Sequence, residues 1–305
     1  MLAVPYLFQS GLSHFFQSPF NAYLAGLMPL PLFRTYCYLL GISYFVIRKD
    51  HRQQVATSVL SHMGNKAHRL EDLGLLWKTY RGILEHYIEK MVNAYHPLHR
   101  LTHHVSRNLE IRNEAWLIDA LGQNRGLLMA SGHFGAVEYL PLVLSLKGFK
   151  PAIVARFKTE KLRNTLFLRA SLFNITSIDA DLSNAAFRAL EAIRQGHILI
   201  TLCDEFSHWK PNRERVISVF GNSVRQDKTL DLLYRRCKPP ACMGLLQRRS
   251  KGFTLHIDPI ANGDPSISLS ERAWRKMEQY INRYPEQWYQ WQQVADRLAA
   301  YRLKE

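Results

Sequence analysis

Leu127-Leu128-Met129-Ala130-Ser131, followed at once by Gly132-His133-Phe134-Gly135-Ala136-Val137-Glu138, is the stretch on which the reading of this chain turns. Five apolar or small residues in a row read as a buried strand. Gly132 and Gly135 let the chain turn sharply around His133 and let other backbone or a ligand come close. The apolar residues beyond predict a helix from about Phe134 to Lys147. Strand, glycine turn and helix make one unit of an α/β sheet, where active residues collect at the carboxyl ends of strands.

The same alternation extends in both directions. Upstream, apolar residues recur every three or four positions from Arg69 to Met91 and predict an amphipathic helix. Val105, Leu109 and Ile111 alternate as a strand, and Asn113 is placed to cap a helix ending near Gly122. Downstream, strands are predicted at Ala152–Ala155, Thr176–Asp179, Ile198–Cys203, Val216–Phe220, Cys242–Gln247 and Phe253–Ile257. Helices are predicted at Glu160–Phe173 and Ser183–Gln195, from Thr229, and twice near the C-terminus. The fold expected is therefore α/β, with a mixed, mostly parallel sheet flanked by helices. An N-terminal membrane-associating helical segment precedes it. The expected organisation is an apolar segment over 1–50, a helical lead-in over 51–100 and the α/β domain over 101–305.

Composition narrows the function. The 305 residues carry 40 Lys plus Arg against 25 Asp plus Glu, a formal charge of +15. That surplus implies an anionic partner: nucleic acid, membrane surface or an acidic protein. A hydrophobic fraction of 47% excludes a disordered chain and a multi-span membrane protein. Cys37, Cys203, Cys237 and Cys242 lack CxxC spacing, so reduced thiols rather than a disulfide framework or zinc site are expected. His96/His99 and His103-His104 lack carboxylate or Cys companions, and no metal is assigned.

The charge is unevenly placed. Residues 1–47 hold one charged side chain, Arg34, and then Arg48, Lys49 and Arg52 arrive together. Eleven basic and three acidic residues lie between Lys210 and Lys251. Pro29 and Pro31 interrupt the apolar front, and the uncharged run Thr35–Ile47 spans about 20 Å as helix, short of a hydrocarbon core of about 30 Å. Two readings stand: a monotopic insert with Tyr36, Tyr38 and Tyr44 near the headgroups, or a helical hairpin packed on the core. A single span kinked at the prolines is a third. No basic n-region of a secretory signal precedes the apolar part.

The candidate chemistry lies in His133 and Glu138. Five residues around an ideal helix rotate about 140°, so the two meet only if His133 sits in the turn and Glu138 on the helix's first turn. Glu138 is then expected to hold one ring nitrogen and leave the other as a base. No GxSxG elbow, HExxH, Walker loop or GxGxxG follows a strand, and Ser131 reads as structural. The chemistry expected is attack by a substrate hydroxyl that His133 activates.

Gly132-His133-Phe134-Gly135 with Glu138 resembles the H-x4-D/E motif of glycerolipid acyltransferases. In its HFGxxE form it is similar to the late acyltransferases of bacterial lipid A biosynthesis, the lauroyl and myristoyl transferases. Arg169 lies where that family carries a functional Arg, and Cys203-Asp204-Glu205 resembles its strand-end Asp-Gln. Val219-Phe220-Gly221 resembles the end of its Pro-Phe-Phe-Gly, and Tyr284-Pro285-Glu286-Gln287-Trp288 with Trp291 matches its Pro-Glu-Gln-Trp segment. Departures fall at Glu205, at Ile217-Ser218-Val219 and at Gln292-Gln293, around the expected acceptor or acyl pocket.

The resemblance implies a glycerolipid-acyltransferase-like fold and O-acyl transfer at the cytoplasmic face of the cell inner membrane, by a peripheral, monotopic or singly anchored protein. The acyl donor would be an acyl carrier protein thioester, with acyl-CoA as the alternative, and no other cofactor. The acceptor would be an anionic glycolipid, a lipid A precursor. His133 and Glu138 would be catalytic. Arg169 would bind an anionic group or the oxyanion, Asp204 would order that Arg or the acceptor, and Arg156, with Lys158 and Lys161, could meet phosphates. The Trp274, Tyr280, Tyr284, Trp288, Tyr289 and Trp291 aromatics read as packing or interfacial contacts. Rival readings are the same chemistry on a phospholipid, amino-acid lipid or mannosylated lipid, a silent membrane scaffold, and a basic nucleic-acid binder. The last rests on charge alone, without a helix-turn-helix, RNP strand or zinc finger, so nucleic acid is not an expected partner.

Overall fold

The computed structural model describes residues 16–63, 69–157, 159–261, 264 and 266–301. In chain order the helices before the sheet are α1 (Pro19–Leu27), α2 (Leu30–Ile47), α3 (Lys49–Met63), α4 (Arg69–Tyr95) and α5 (Leu98–Ser106). Then come β1 (Leu109–Arg112), α6 (Glu114–Gly122), β2 (Leu127–Ser131), α7 (Leu140–Leu146), β3 (Pro151–Ala155) and α8 (Glu160–Leu172). They continue as β4 (Thr176–Asp179), α9 (Ala185–Arg194), β5 (Ile198–Leu202), β6 (Pro211–Val219) and β7 (Asn222–Asp227). The chain closes with α10 (Thr229–Cys237), β8 (Ala241–Arg249), β9 (Gly252–Pro259), α11 (Leu269–Arg283) and α12 (Val294–Ala299).

The main sheet has seven strands in the order β1-β9-β8-β2-β5-β3-β4. Strands β8, β2, β5, β3 and β4 run parallel, and β9 with β1 runs against them. All five residues of β2 are buried, because it lies between β8 and β5 with helices over both faces. Crossovers between parallel strands are right-handed. The step from β3 out to β4 and the return from β4 to β5 therefore put α8 and α9 on opposite faces. Helices α4, α5, α7 and α8 form one layer, and α9, α10 and α11 the other. The α/β, mostly parallel reading holds.

Four local expectations change. Val105 is not a strand residue but the buried apolar end of α5, where Leu101 and Val105, four residues apart, share the buried side of the helix. The helix expected from Phe134 starts later: the chain turns through Ala136, takes a 3₁₀ turn at Val137–Tyr139 and becomes α-helical at Leu140. The segment Val216–Phe220 belongs to a two-stranded antiparallel hairpin, β6–β7, whose second strand was not expected. Asn113 precedes α6 as expected but does not cap it. It has φ 62° and its amide donates to the Ile257 carbonyl (2.8 Å).

The apolar front forms a longer helix than its prolines suggest. Pro31 sits in the first turn of α2, where a missing N–H costs nothing, so Leu30–Ile47 is one uninterrupted helix. It is long and apolar enough to cross a membrane. Phe33, Cys37, Gly41 and Tyr44 are buried along the side that contacts α4, and Arg34 pairs there with Glu85. Leu32, Leu39 and Val46, seven residues apart, form an exposed stripe. Helix α2 is thus packed on the body along one side and apolar to the outside along the other; the rest of the expected apolar segment, residues 1–15, lies outside the described residues.

Candidate active site

The turn after β2 is built by close approach. A Cβ on Gly132 would stand 2.2 Å from the Met277 methyl and 3.2 Å from the Asp204 carboxyl carbon. Gly135 has φ +57°, and a Cβ there would stand 2.0 Å from the Leu246 carbonyl oxygen. Both positions need glycine, one for space and one for conformation as well. The turn is then stitched to the C-terminal Pro285–Trp291 segment. Gly135 N–H donates to the Gln287 carbonyl (2.8 Å), Tyr289 N–H donates to the His133 carbonyl (2.9 Å), and Phe134 bridges Trp288. Gln287 fixes the other side by a two-way amide exchange with the Arg248 backbone.

His133 is held by Asp204, which follows the end of β5, the strand paired with β2. The His133 main-chain N–H donates to Asp204 Oδ2 (2.8 Å), and ring Nδ1 lies 2.9 Å from Oδ1. Trp288 Nε1–H donates to the same Oδ2 (2.9 Å). Asp204 is fully buried, and these charge-assisted bonds satisfy it. The Gln290 amide also lies 3.0 Å from Nδ1. Burial opposes the imidazolium, but Asp204, and after it Glu205, more than offset that, so the His133 pKa stands above its ordinary value. Glu205 Oε2 stands 3.6 Å from Nε2.

Glu138 lies on the first turn after His133, where the spacing requires it, but it does not hold the histidine. Its Oε1 meets Lys90 Nζ at 3.1 Å and His86 Nε2 at 3.5 Å. Lys90 and His86 both come from α4, which passes close over the Val137–Tyr139 turn. The expected His133–Glu138 bond is thus replaced by His133–Asp204, and Glu138 instead anchors a cation. Burial works against the Lys90 ammonium, yet the Glu138 carboxylate raises its pKa above the usual lysine range. Asp204, expected to order Arg169 or the acceptor, is bonded to His133 and does not meet Arg169, which donates instead to the His96 carbonyl.

His133, Glu138, Lys90, Glu205, Tyr289 and Arg169 line one cavity of about 640 Å³. Its walls are apolar in both directions: Leu142, Leu162 and Phe173 on one side of the sheet, Leu230, Leu233 and Trp274 on the other. Arg169 donates from Nη2 to the His96 carbonyl (2.6 Å), and its buried Nε has no partner among the described residues. Arg156 lines the same cavity but is paired with Asp181 (2.7 Å), which weakens it as a phosphate contact. Lys161 is exposed, and Lys158 lies outside the described residues.

Sequence reasoning missed Lys90, His86 and the chemical use of Trp288, Tyr289 and Gln290. Tyr289 stacks on His86 with ring centroids 4.1 Å apart, and His133 lies 5.7 Å from it. The match of Pro285–Trp288 to a family segment was the available signal for that side, whereas nothing in the helical pattern of α4 singled out Lys90. Among the described residues, no group of three His, Cys, Asp or Glu side chains is placed to hold a metal ion. The arrangement can take a proton on His133 Nε2 while Nδ1 stays bound to a carboxylate, beside a fixed cation and an apolar cavity.

A family model described as bacterial lipid A biosynthesis acyltransferase matches residues 20–293. No curated protein matches the chain in a sequence search.

Proposed function

The chain belongs to the bacterial lipid A biosynthesis acyltransferase family and is an acyltransferase; from there we propose that His133 is its general base, oriented by Asp204, and that it acylates a hydroxyl of a lipid A precursor. In this reading the acceptor hydroxyl displaces Glu205 from Nε2 and gives its proton to that nitrogen. The oxygen forms a bond to the thioester carbonyl carbon, the carbon–sulfur bond breaks, and His133 returns the proton to the leaving thiolate. The products are an ester and a free thiol. Asp204 keeps the proton on Nδ1 before the reaction and stabilises the imidazolium during it. Lys90, set by Glu138, and Arg169, with its free Nε, supply positive charge for the tetrahedral oxyanion and for an anionic group of the acceptor.

The observation that carries this reading is the split of His133's two nitrogens, with Nδ1 on a buried carboxylate and Nε2 left for substrate in an apolar-walled cavity. The acyl donor is an acyl carrier protein thioester, with acyl-CoA as the alternative. The protein works at the cytoplasmic face of the inner membrane, with the exposed stripe of α2 in the leaflet and Arg48, Lys49 and Arg52 at anionic headgroups.

The test is reconstitution. Purified full-length protein is incubated with a labelled acyl carrier protein thioester, or the matching acyl-CoA, and a panel of lipid acceptors, and products are read by mass spectrometry. One added acyl chain on the lipid A precursor supports the reading. Transfer to a phospholipid, with the lipid A precursor left unmodified, would overturn the acceptor assignment.

A further inference from the structure

A second cavity, of about 370 Å³, lies on the other side of α4 from His133. Helix α4 separates the two: His86, Tyr87 and Lys90 face the first, while Gly82, Glu85 and Glu89 face the second. The 3₁₀ turn after the motif divides in the same way, with Glu138 toward the first cavity and Tyr139 toward the second. The reaction proposed above uses nothing in this second space.

Five cations line it: Arg34, Lys78, Arg81, Arg248 and Arg249. Two are neutralised at its buried floor. Arg34 pairs with Glu85, and Arg248 grips Glu89 bidentately at 2.6 and 2.9 Å. Burial pushes the Glu89 carboxyl up to about 7 even against Arg248. Lys78, Arg81 and Arg249 stand exposed above that floor and have no ion-pair partner among the described residues. Glu286, the third carboxylate of the lining, is itself raised by burial.

Arg81 is also oriented. Arg81 donates from Nε to the Tyr38 hydroxyl (3.3 Å) and lies 5.6 Å over that ring, which leaves its two terminal nitrogens for a ligand. Tyr139, 1% exposed, borders the same space, and its hydroxyl has no hydrogen-bond partner among the described residues. A recess with surplus positive charge and a spare phenolic donor is completed by an anion with several acceptor oxygens. Guanidinium forks and an ammonium together suit phosphate. The volume leaves room for a group attached to it.

We propose that this recess between α2, α4 and the β8–β9 turn is a second anion site, which binds a phosphate ester apart from the reacting centre. The phosphate can belong to a soluble ester or to a lipid headgroup, since α2 forms one wall and carries the exposed apolar stripe.

The test uses the full chain in detergent, titrated calorimetrically with inorganic phosphate and with glycerol 3-phosphate, and separately presented with nanodiscs of phosphatidylglycerol or of phosphatidylcholine. Saturable binding of a phosphate probe, or binding to phosphatidylglycerol but not phosphatidylcholine discs, is expected, and the arm that responds identifies the source. Lys78→Ala, Arg81→Ala and Arg249→Ala are each expected to weaken that binding by about tenfold. Arg169→Ala, in the first cavity, is expected to leave it unchanged, as is His133→Ala. If a variant does not fold, Lys78→Met and Arg81→Gln keep the side-chain bulk and give the same comparison. No binding in any arm would overturn the proposal, as would binding insensitive to all three cations or lost with Arg169→Ala.

Discussion

Replacing Asp204 with Asn changes one carboxylate oxygen into an amide nitrogen, and the surroundings decide which way the new side chain turns. Oδ2 accepts two donors, the His133 main-chain N–H and Trp288 Nε1–H, while Oδ1 meets only ring Nδ1. Turning the amide nitrogen toward the first pair would leave two buried N–H groups facing a donor, at about 1–3 kcal/mol each. The amide oxygen therefore takes the Oδ2 position, and the NH₂ group faces Nδ1. His133 must then accept at Nδ1 and carry its proton on Nε2, so the nitrogen meant as the base is already occupied. Because most hydrogen bonds survive, stability should change by only about 1 kcal/mol. Turnover should fall by roughly 10³–10⁴, the scale seen when a triad base is held in the wrong tautomer. Steady-state acyl transfer gives the rate, denaturant melts give the stability, and ¹⁵N chemical shifts of the imidazole report the tautomer. A folded Asp204→Asn protein working within tenfold of the parent would refute the reasoning.

Other outcomes follow from the same geometry. The Glu205 carboxylate helps hold the His133 pKa up, and under the proposed mechanism a histidine base must be neutral, so activity is expected to rise with pH through that raised pKa. Glu205→Gln should move the acidic limb of the kcat/KM profile to lower pH, and an unmoved limb would remove Glu205 from contact with the base. Lys90→Met should lower kcat by about 10²–10³ if its ammonium faces the oxyanion, whereas a change confined to KM would assign it to binding. Glu138→Gln should keep His133 oriented but loosen Lys90, giving a smaller loss than Asp204→Asn in the same assay. Gly135→Ala forces a positive φ on a side chain aimed at the Leu246 carbonyl and should cost about 2–4 kcal/mol by chemical denaturation.

Much of this molecule was legible as sequence because its strands are buried on both faces. Leu127–Ser131 and Thr176–Asp179 occur at the expected bounds, and the glycine turn with His133 sits at the strand end as anticipated. What could not be read was partnership across the chain. Asp204 is 71 residues from His133 and meets it only because β5 lies beside β2. Local spacing pointed instead to Glu138, which a lysine from α4 takes. The Trp288 indole was read as packing or an interfacial contact; it is fully buried, and its N–H also completes the Asp204 shell. Strand β7 was hidden because Asn222–Asp227 carries polar and charged residues in a hairpin exposed along much of its length.

Chemistry at His133 is the claim on which the rest depends. Single-turnover transfer from a labelled acyl thioester to the lipid acceptor, measured for the parent and for His133→Ala of matched fold by circular dichroism, tests it most directly. The variant is expected to bind donor and acceptor normally and to lose transfer by at least about 10³-fold. Transfer by folded His133→Ala at a rate near the parent's would contradict it.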